Sequence, residues 1–115
     1  MLPAQNRLNK KKDFQQVFQK GKGIKEDSLI FKWAPNKFKV SRFGFVVSKK
    51  VSKKAALRNK IKRKLKEKVR KELGHLKRGI DGVIIVSPKI TRKNHQELTG
   101  TLIKIFHRAK IIKKK

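Results

Sequence analysis

The stretch "ALRNKIKRKLKEKVRKEL", residues 56–73, is the segment around which the rest of the chain can be arranged. At 3.6 residues per turn, its apolar side chains fall in one slowly winding stripe, which predicts an amphipathic helix over about 53–73 that ends near Gly74. The stripe consists of Leu57, Ile61, Leu65, Val69 and Leu73.

Lysine and arginine crowd the remaining faces of this helix. Like-charged pairs four residues apart, such as Lys60 and Lys64, outnumber opposite-charged pairs such as Glu67 and Lys71. Each pair changes helix stability by roughly 0.2–0.5 kcal/mol, so the arrangement is slightly unfavourable on its own. Phosphates would reverse that balance, because neutralising them releases counterions and favours binding at low salt. A lysine-rich face that is merely solvated is the alternative interpretation.

The composition of the chain favours the phosphate partner. Its 115 residues include 35 Lys and Arg against 7 Asp and Glu, a formal net charge of +28. Such an excess implies a polyanion, either nucleic acid or an anionic membrane. No apolar run approaches the ~20 residues of a membrane span, and the amino terminus lacks an apolar signal segment. Cysteine is absent, which fits a reducing cytoplasm. We therefore predict a cytoplasmic protein that binds nucleic acid and not a membrane.

Three segments have the pattern of β-strands. Residues 28–34 and 42–48 alternate in hydrophobicity and are predicted as two strands antiparallel to each other. Residues 81–87 form a short apolar run typical of a strand buried on both faces. Gly44 leaves a gap in its strand where another group could approach closely.

Two further helices are predicted near the ends of the chain. The first begins at Asp13, whose side chain would cap it, and ends at Gly21. The last begins near Asn94, with Glu97 placed to complete its cap. The inner face of the last helix would consist of Leu98, Leu102, Ile105, Phe106 and Ala109.

These elements follow the order α-β-β(-β)-α-β-α, which predicts a single α+β domain over residues 1–115, built as an α-β sandwich. The two long helices would cover one face of the sheet, and the first helix would lie near the sheet edge or on its other face. Residues 1–12 are predicted as a loose basic arm, and residues 113–115 as a basic tail that suits the negative end of the last helix dipole.

The sequence contains no arrangement typical of protein catalysis. His75, His95 and His107 are scattered along the chain. The seven acidic residues show no spacing like that of a two-metal carboxylate site, and no glycine-rich phosphate loop or nucleophile elbow occurs. We therefore predict neither catalytic nor metal-binding residues.

Two motifs and the segment before them carry a resemblance to a known family. A strand that ends in V-S-K-K is followed by a helix that opens R-N-K-x-K-R, and "LNKKKDFQQVFQKGK" places paired phenylalanines before a glycine. In this order the chain resembles the protein subunit of bacterial ribonuclease P. Lys60 departs from the usual arginine, keeping the charge but losing the planar fork that grips phosphate. The matched residues are Val47, Ser48, Lys49, Lys50, Arg58, Asn59, Lys62 and Arg63.

The resemblance implies both a fold detail and a function. It implies a left-handed β-α-β crossover, whereas parallel crossovers are otherwise right-handed in about 98% of cases. It also implies an accessory subunit of a hydrolase, the ribonucleoprotein endonuclease that removes the 5′ leader from precursor tRNA. The RNA subunit would carry the chemistry and bind most of the Mg²⁺, and one protein monomer would bind one catalytic RNA.

Two sets of site residues follow from this resemblance. The first set would bind the catalytic RNA: Arg58, Asn59, Lys60, Lys62, Arg63 and Lys66. The second would bind the leader, since aromatic rings stack on unpaired bases with little sequence preference: Phe14, Phe18, Phe31, Ser48, Lys49 and Lys50.

Two kinds of alternative stay open at this stage. Phenylalanines at helical spacing usually belong to a core, so Phe14, Phe18 and Phe31 have packing as their competing role. For the whole chain, the competing functions are a small structural ribosomal protein that binds rRNA and a basic protein that coats membranes or compacts DNA. The ordered combination of motifs favours the ribonuclease P subunit over both.

Overall fold

The computed structural model describes residues 2–88 and 95–112, and within the last helix it describes side chains from residue 98 onward. The predicted Glu97 cap and the basic tail 113–115 lie outside the described side chains. Single-turn 3₁₀ helices occupy Ala4–Asn6 and Leu73–His75. The main elements are α1 (Lys11–Lys20), β1 (Lys22–Glu26), β2 (Leu29–Pro35), β3 (Arg42–Val46), α2 (Ala55–Glu72), β4 (Ile80–Val86) and α3 (His95–Arg108).

The four strands form one mixed sheet in the order β1-β2-β4-β3. β4 pairs antiparallel with β2, where Ile84 lies opposite Phe31, and parallel with β3, where Ile84 lies opposite Phe45. β2 and β3 therefore run antiparallel to each other, as predicted, but they are not paired directly, because β4 lies between them. Val83 and Ile84 point to opposite faces of β4 and are both fully buried, which suits a central position in the sheet.

The first strand, β1, has a weak sequence pattern. Its residues, KGIKE, contain a single apolar side chain, Ile24, so alternation alone could establish only that a third strand was possible. β1 is an edge strand, and exposed lysines at such an edge discourage pairing with another chain.

The link from β3 through α2 to β4 joins two neighbouring parallel strands and is thus a β-α-β crossover. The left hand that the family resemblance implies for it stays a prediction.

The two faces of the sheet carry cores of different size. On one face α2 contributes Leu65 and Val69, and α3 contributes Leu102, Ile105 and Phe106, to a core with β2, β3 and β4. On the other face α1 supplies Val17, which packs with Leu8 and Val83. The prediction that α2 and α3 cover one face, with α1 elsewhere, is confirmed.

The amino-terminal segment is packed against the sheet, so the prediction of a loose arm over residues 1–12 is wrong. Leu2 and Leu8 are buried to 1% and 3% exposure, and the Leu8 amide donates to the Phe43 carbonyl at 2.9 Å. Because these leucines are separated by basic and polar residues, the segment shows no hydrophobic pattern from which their burial could be predicted.

The start of α1 also differs from its prediction. The residue before the helix is Lys10, with no side-chain cap, and Asp13 already lies in the first turn. Instead of capping, Asp13 accepts a hydrogen bond from Arg42 Nη1 at 3.3 Å. Its negative charge still favours the amino-terminal end of the helix dipole.

Candidate nucleic-acid interface

The connection from β3 to α2 consists of the tetrapeptide V-S-K-K written twice, over residues 47–50 and 51–54. Val47 and Val51 are both buried at 7% exposure. In each copy the serine hydroxyl accepts a hydrogen bond from the amide two residues later, Lys50 to Ser48 at 3.3 Å and Lys54 to Ser52 at 3.1 Å. The valines therefore anchor the loop.

The anchored loop presents four exposed lysines, two from each copy. The sequence analysis selected Ser48, Lys49 and Lys50, and the structure exposes all three. It missed Lys53 and Lys54, which are equally exposed. The internal repeat was the signal that could have found them.

Helix α2 continues this cationic surface. Arg58 is half-buried and donates from Nη1 to the Ser52 carbonyl at 2.9 Å, so it fixes the loop to the helix. Asn59, Lys60 and Arg63 are exposed. Within the described part of the chain, no ion pair involves any of the α2 residues predicted to bind RNA.

Neighbouring cations on α2 disfavour each other's charge. Burial, and after it repulsion from Lys60, lowers the pKa of Lys64. Burial, and then repulsion from Lys71 and Lys64, also lowers the pKa of Lys68. An anion bound along this helix would reduce the repulsion between these lysines. The charge pattern of the sequence predicts the same effect of bound phosphates.

Helix α1 presents its two phenylalanines differently. Phe14 is half-buried over Gly44, where a Cβ atom would lie 2.6 Å from Phe14 Cε1. The gap predicted at Gly44 is thus filled by this ring. Phe18 is 41% exposed, and Lys32 Nζ lies 5.4 Å from its ring centroid. Phe18 therefore offers aromatic surface to a partner, with a cation beside it.

Phe31 lies on the opposite face of the sheet, so its predicted place in the leader cleft is wrong. Its side chain is fully buried and meets Phe106 edge-on at 5.5 Å between ring centroids. Successive residues of a strand point to opposite faces. Its neighbour Lys32 therefore points to the α1 side, as do Ile30 and Ala34.

A cleft of about 250 Å³ joins the two predicted sets of residues. Phe14 lines it from α1, and Lys62 and Lys66 line it from α2, with β3 between the helices. Arg7 and Asn9 also line it, and the sequence analysis missed both because it treated their segment as a loose arm.

The acidic residues with described contacts are used within the fold. Asp81, at 6% exposure, accepts two hydrogen bonds from Arg42, at 2.8 and 2.6 Å, and one from Asn36 at 2.8 Å. The bond to Asp81 is the main reason why the pKa of Arg42 is raised. Glu26 accepts from Lys104 at 3.1 Å and from Arg108 at 2.6 Å. Among the described residues, no group of three or more histidine or acidic side chains could hold a metal ion.

The fold and this surface define a small α+β protein in which Asp13, Asp81 and Glu26 pair within the fold. The loop 47–54 and the first half of α2 present exposed cations beside an aromatic cleft. Over the described residues, no helix is long and apolar enough to cross a membrane.

Comparison with known proteins identifies the family. The family model described as ribonuclease P matches residues 2–110, so the chain belongs to the ribonuclease P protein family. A ribonuclease P protein component from Pseudanabaena sp. is 40% identical, with 97% of each chain covered. One from Alkaliphilus metalliredigens is 32% identical, covering 96% of this chain and 99% of that protein. The chain is therefore a protein component of ribonuclease P, an endoribonuclease complex of tRNA processing.

Solved structures agree with this assignment. The ribonuclease P protein of Staphylococcus aureus superposes with a TM-score of 0.87 at 28% identity, covering 94% of this chain and 98% of that one. The protein from Thermotoga maritima gives 0.81 at 30% identity, covering 89% and 96%. The α+β fold class predicted from the sequence is confirmed.

Proposed function

We propose that the chain binds the catalytic RNA of ribonuclease P through the first half of α2, where the contacting residues would be Arg58, Asn59, Lys60, Lys62, Arg63 and Lys66. The observation that carries the proposal is that Arg58, Lys60, Lys62, Arg63 and Lys66 have no acidic partner within the described residues. Glu67 pairs with Arg70 farther along α2, and Asp13, Asp81 and Glu26 pair elsewhere. Unpaired cations in a row fit a phosphate backbone, because each neutralised phosphate releases counterions.

The 5′ leader of precursor tRNA would lie along the cleft beside α1. Phe18 and Phe14 supply aromatic surface beside Lys32, and the exposed Ser48, Lys49 and Lys50 would contact the leader phosphates. Base stacking on aromatic rings is worth about 1–3 kcal/mol per base and depends little on sequence. Such a cleft suits a subunit that must accept many different leaders.

The endonucleolytic chemistry would be carried by the RNA subunit, with Mg²⁺ held mainly by that RNA. In support of this assignment, Asp13, Asp81, Glu26 and Glu67 accept hydrogen bonds from arginine or lysine. Among the described residues, no three acidic or histidine side chains lie close enough together to hold a metal ion. The protein would bind as a monomer to one catalytic RNA in the cytoplasm and position the substrate there.

A reconstitution at low Mg²⁺ tests the proposal. Purified protein is mixed with a bacterial ribonuclease P RNA and a leader-bearing precursor tRNA. We expect leader removal only when protein and RNA are both present, and a weaker dependence on the protein as Mg²⁺ is raised. Equal cleavage without the protein at low Mg²⁺ would contradict the proposal, as would cleavage by the protein alone.

A second measurement locates the contact with the catalytic RNA. Arg63→Ala removes an exposed cation of α2 and should lower the slope of log affinity against log salt by about 0.7–0.9, the value for one phosphate contact. Lys39→Ala is the matched control, because it removes one exposed cation from the connection between β2 and β3, outside α2. Equal effects of the two variants would show that the binding depends on net charge and not on α2.

A further inference from the structure

A second pocket lies at the end of the sheet, away from the cleft beside α1. Its volume is about 360 Å³, and it is bounded by the end of α1, the end of β2 and the residues after α3. Trp33 lines it together with four lysines, Lys20, Lys22, Lys77 and Lys110. We propose that this Trp33 pocket binds one unpaired nucleotide, with its base against the indole and its phosphates on the lysines.

Trp33 is suited to a stacking role because one side of its ring is already supported. Phe31 stacks on the indole at 5.3 Å between centroids and an interplanar angle of 8°. Phe31 is fully buried, whereas Trp33 remains half-buried. The accessible part of the indole is therefore the side and rim that Phe31 does not cover, and a base placed there would extend an existing stack.

Gly21 holds two of the lysines close to this ring. A Cβ atom at Gly21 would lie 2.7 Å from the Trp33 carbonyl oxygen, so only glycine permits the end of α1 to approach β2 this closely. Lys20 and Lys22 flank the glycine in sequence, and Lys22 lies opposite Trp33 in the β1–β2 register. The close approach thus fixes both cations beside the indole.

Lys110 occupies a backbone conformation that favours glycine. Its φ is +59°, and it follows α3 in a turn where the Ile111 amide donates to the Phe106 carbonyl at 3.2 Å. Glycine is the usual residue at this position, because it has no Cβ penalty there. A lysine in its place is explained if the side chain serves the pocket. The Lys77 amide donates to the Ile111 carbonyl at 2.7 Å, which brings the fourth lysine to the same wall.

The charge of the pocket selects an anionic ligand. All four lysines are exposed, and none takes part in an ion pair among the residues that the structure describes. Among the side chains that the structure describes, no acidic residue lines the pocket. By contrast, Lys104 and Arg108 on the neighbouring helix are paired with Glu26. A flat aromatic surface within a ring of unpaired cations matches a nucleobase with its phosphates better than a neutral apolar ligand.

Trp33 is the single tryptophan of the chain, so its fluorescence reports on this pocket alone. The full-length protein is titrated at low salt with adenosine triphosphate and, separately, with a short unstructured oligoribonucleotide. We expect saturable quenching by at least one of them. The absence of quenching with both would overturn the proposal.

A variant with a matched control tests the role of the lysines. The double substitution Lys77→Ala with Lys110→Ala should weaken the quenching interaction about fivefold to tenfold and lower its log–log salt slope by about 1.4, for two phosphate contacts. Lys11→Ala with Lys12→Ala removes the same charge from exposed positions on α1 and should leave the quenching unchanged. Equal effects of the two double variants would overturn the proposal.

The two titrations also separate the possible sources of the nucleotide. Quenching by the triphosphate alone would indicate a free nucleotide, whereas quenching by the oligoribonucleotide alone would indicate a nucleotide within an RNA strand. The strand version rests on the proposed function. The quenching titration tests the Trp33 pocket and needs no catalytic RNA. The reconstituted cleavage tests the proposed function and needs no intact Trp33 pocket. Failure of one proposal can therefore be distinguished from failure of the other.

Discussion

The two faces of the sheet use phenylalanine in opposite ways. On the α2–α3 face, Phe31, Phe43 and Phe106 are buried to 0–2% exposure and contact one another. On the α1 face, Phe14 is half-buried and Phe18 is 41% exposed. The phenylalanines of the first face therefore stabilise the fold, whereas those of the second face keep aromatic surface accessible to a partner.

The lengths of the covering helices explain this difference. The 18 residues of α2 and the 14 residues of α3 can cover one face, whereas α1 has 10 residues. The small core under α1 consists of Leu8, Val17 and Val83 with partly buried neighbours. Because α1 is short, its phenylalanines stay partly exposed. Phenylalanine, which is a core residue on the α2–α3 face, is therefore available for binding on the α1 face.

The largest expected effect belongs to the buried face. Phe31→Ala should reduce the free energy of unfolding by about 3–5 kcal/mol, because it removes a fully buried ring and leaves a cavity. Urea unfolding measured by circular dichroism checks this value. A loss below about 1 kcal/mol would mean that Phe31 does not belong to the core and would restore it as a candidate for the cleft.

Gly44→Ala tests the boundary between packing and binding on the α1 face. The new Cβ would lie 2.6 Å from Phe14 Cε1, so the ring must move, at an expected cost of about 1–3 kcal/mol in unfolding free energy. Leader-dependent affinity should fall as well, because Phe14 lines the cleft. Gly100→Ala is the matched control, since nothing lies within 4 Å of its Cβ position. Equal stability of the two variants would contradict the packing of Phe14 on β3.

Phe18→Ala should separate binding from stability. We expect a loss of about 1–3 kcal/mol in leader-dependent affinity, the value for one stacked base, with less than about 1 kcal/mol lost in unfolding free energy. The measurement compares precursor tRNAs with and without a leader in complexes that contain the variant. An unchanged leader dependence in a folded variant would remove Phe18 from the proposed leader site.

The smallest expected effect concerns the pH dependence of the α2–α3 face, where Glu26 fastens the β1–β2 turn to α3. Hydrogen bonds from Lys104 and then Arg108 hold the pKa of Glu26 below its ordinary value of 4.5. A carboxylate with a lowered pKa stabilises the fold above the unfolded-state value, and this contribution disappears as the pH falls through the folded-state value.

Glu26→Gln should therefore make the free energy of unfolding decrease less steeply as the pH is lowered. Urea unfolding between about pH 7 and about pH 3 measures this slope. Glu72→Gln is the control, because it makes the same acid-to-amide change on α2. If Glu26→Gln leaves the slope unchanged, its ion pairs contribute nothing to folding.

The sequence by itself determined the positions of the long helices, three of the four strands, the fold class and the family. Hydrophobic periodicity and the V-S-K-K and Arg-Asn motifs are local features of the sequence. They can be recognised without knowing which residues are neighbours in the folded chain. The stripe Ile61, Leu65 and Val69 and the exposed Arg63 and Lys60 follow from helical geometry alone.

Tertiary structure alone decided the order of the strands and the face of each aromatic residue. The placement of β4 between β2 and β3 depends on burying both of its faces, and no local pattern encodes which strands supply the neighbours. Phe31 became core and Lys32 faced α1 for the same reason, because alternation separates the two sides of a strand without saying which helix covers either one. The packed amino-terminal segment and the Trp33 pocket likewise arise from residues far apart in sequence, which only the folded chain brings into contact.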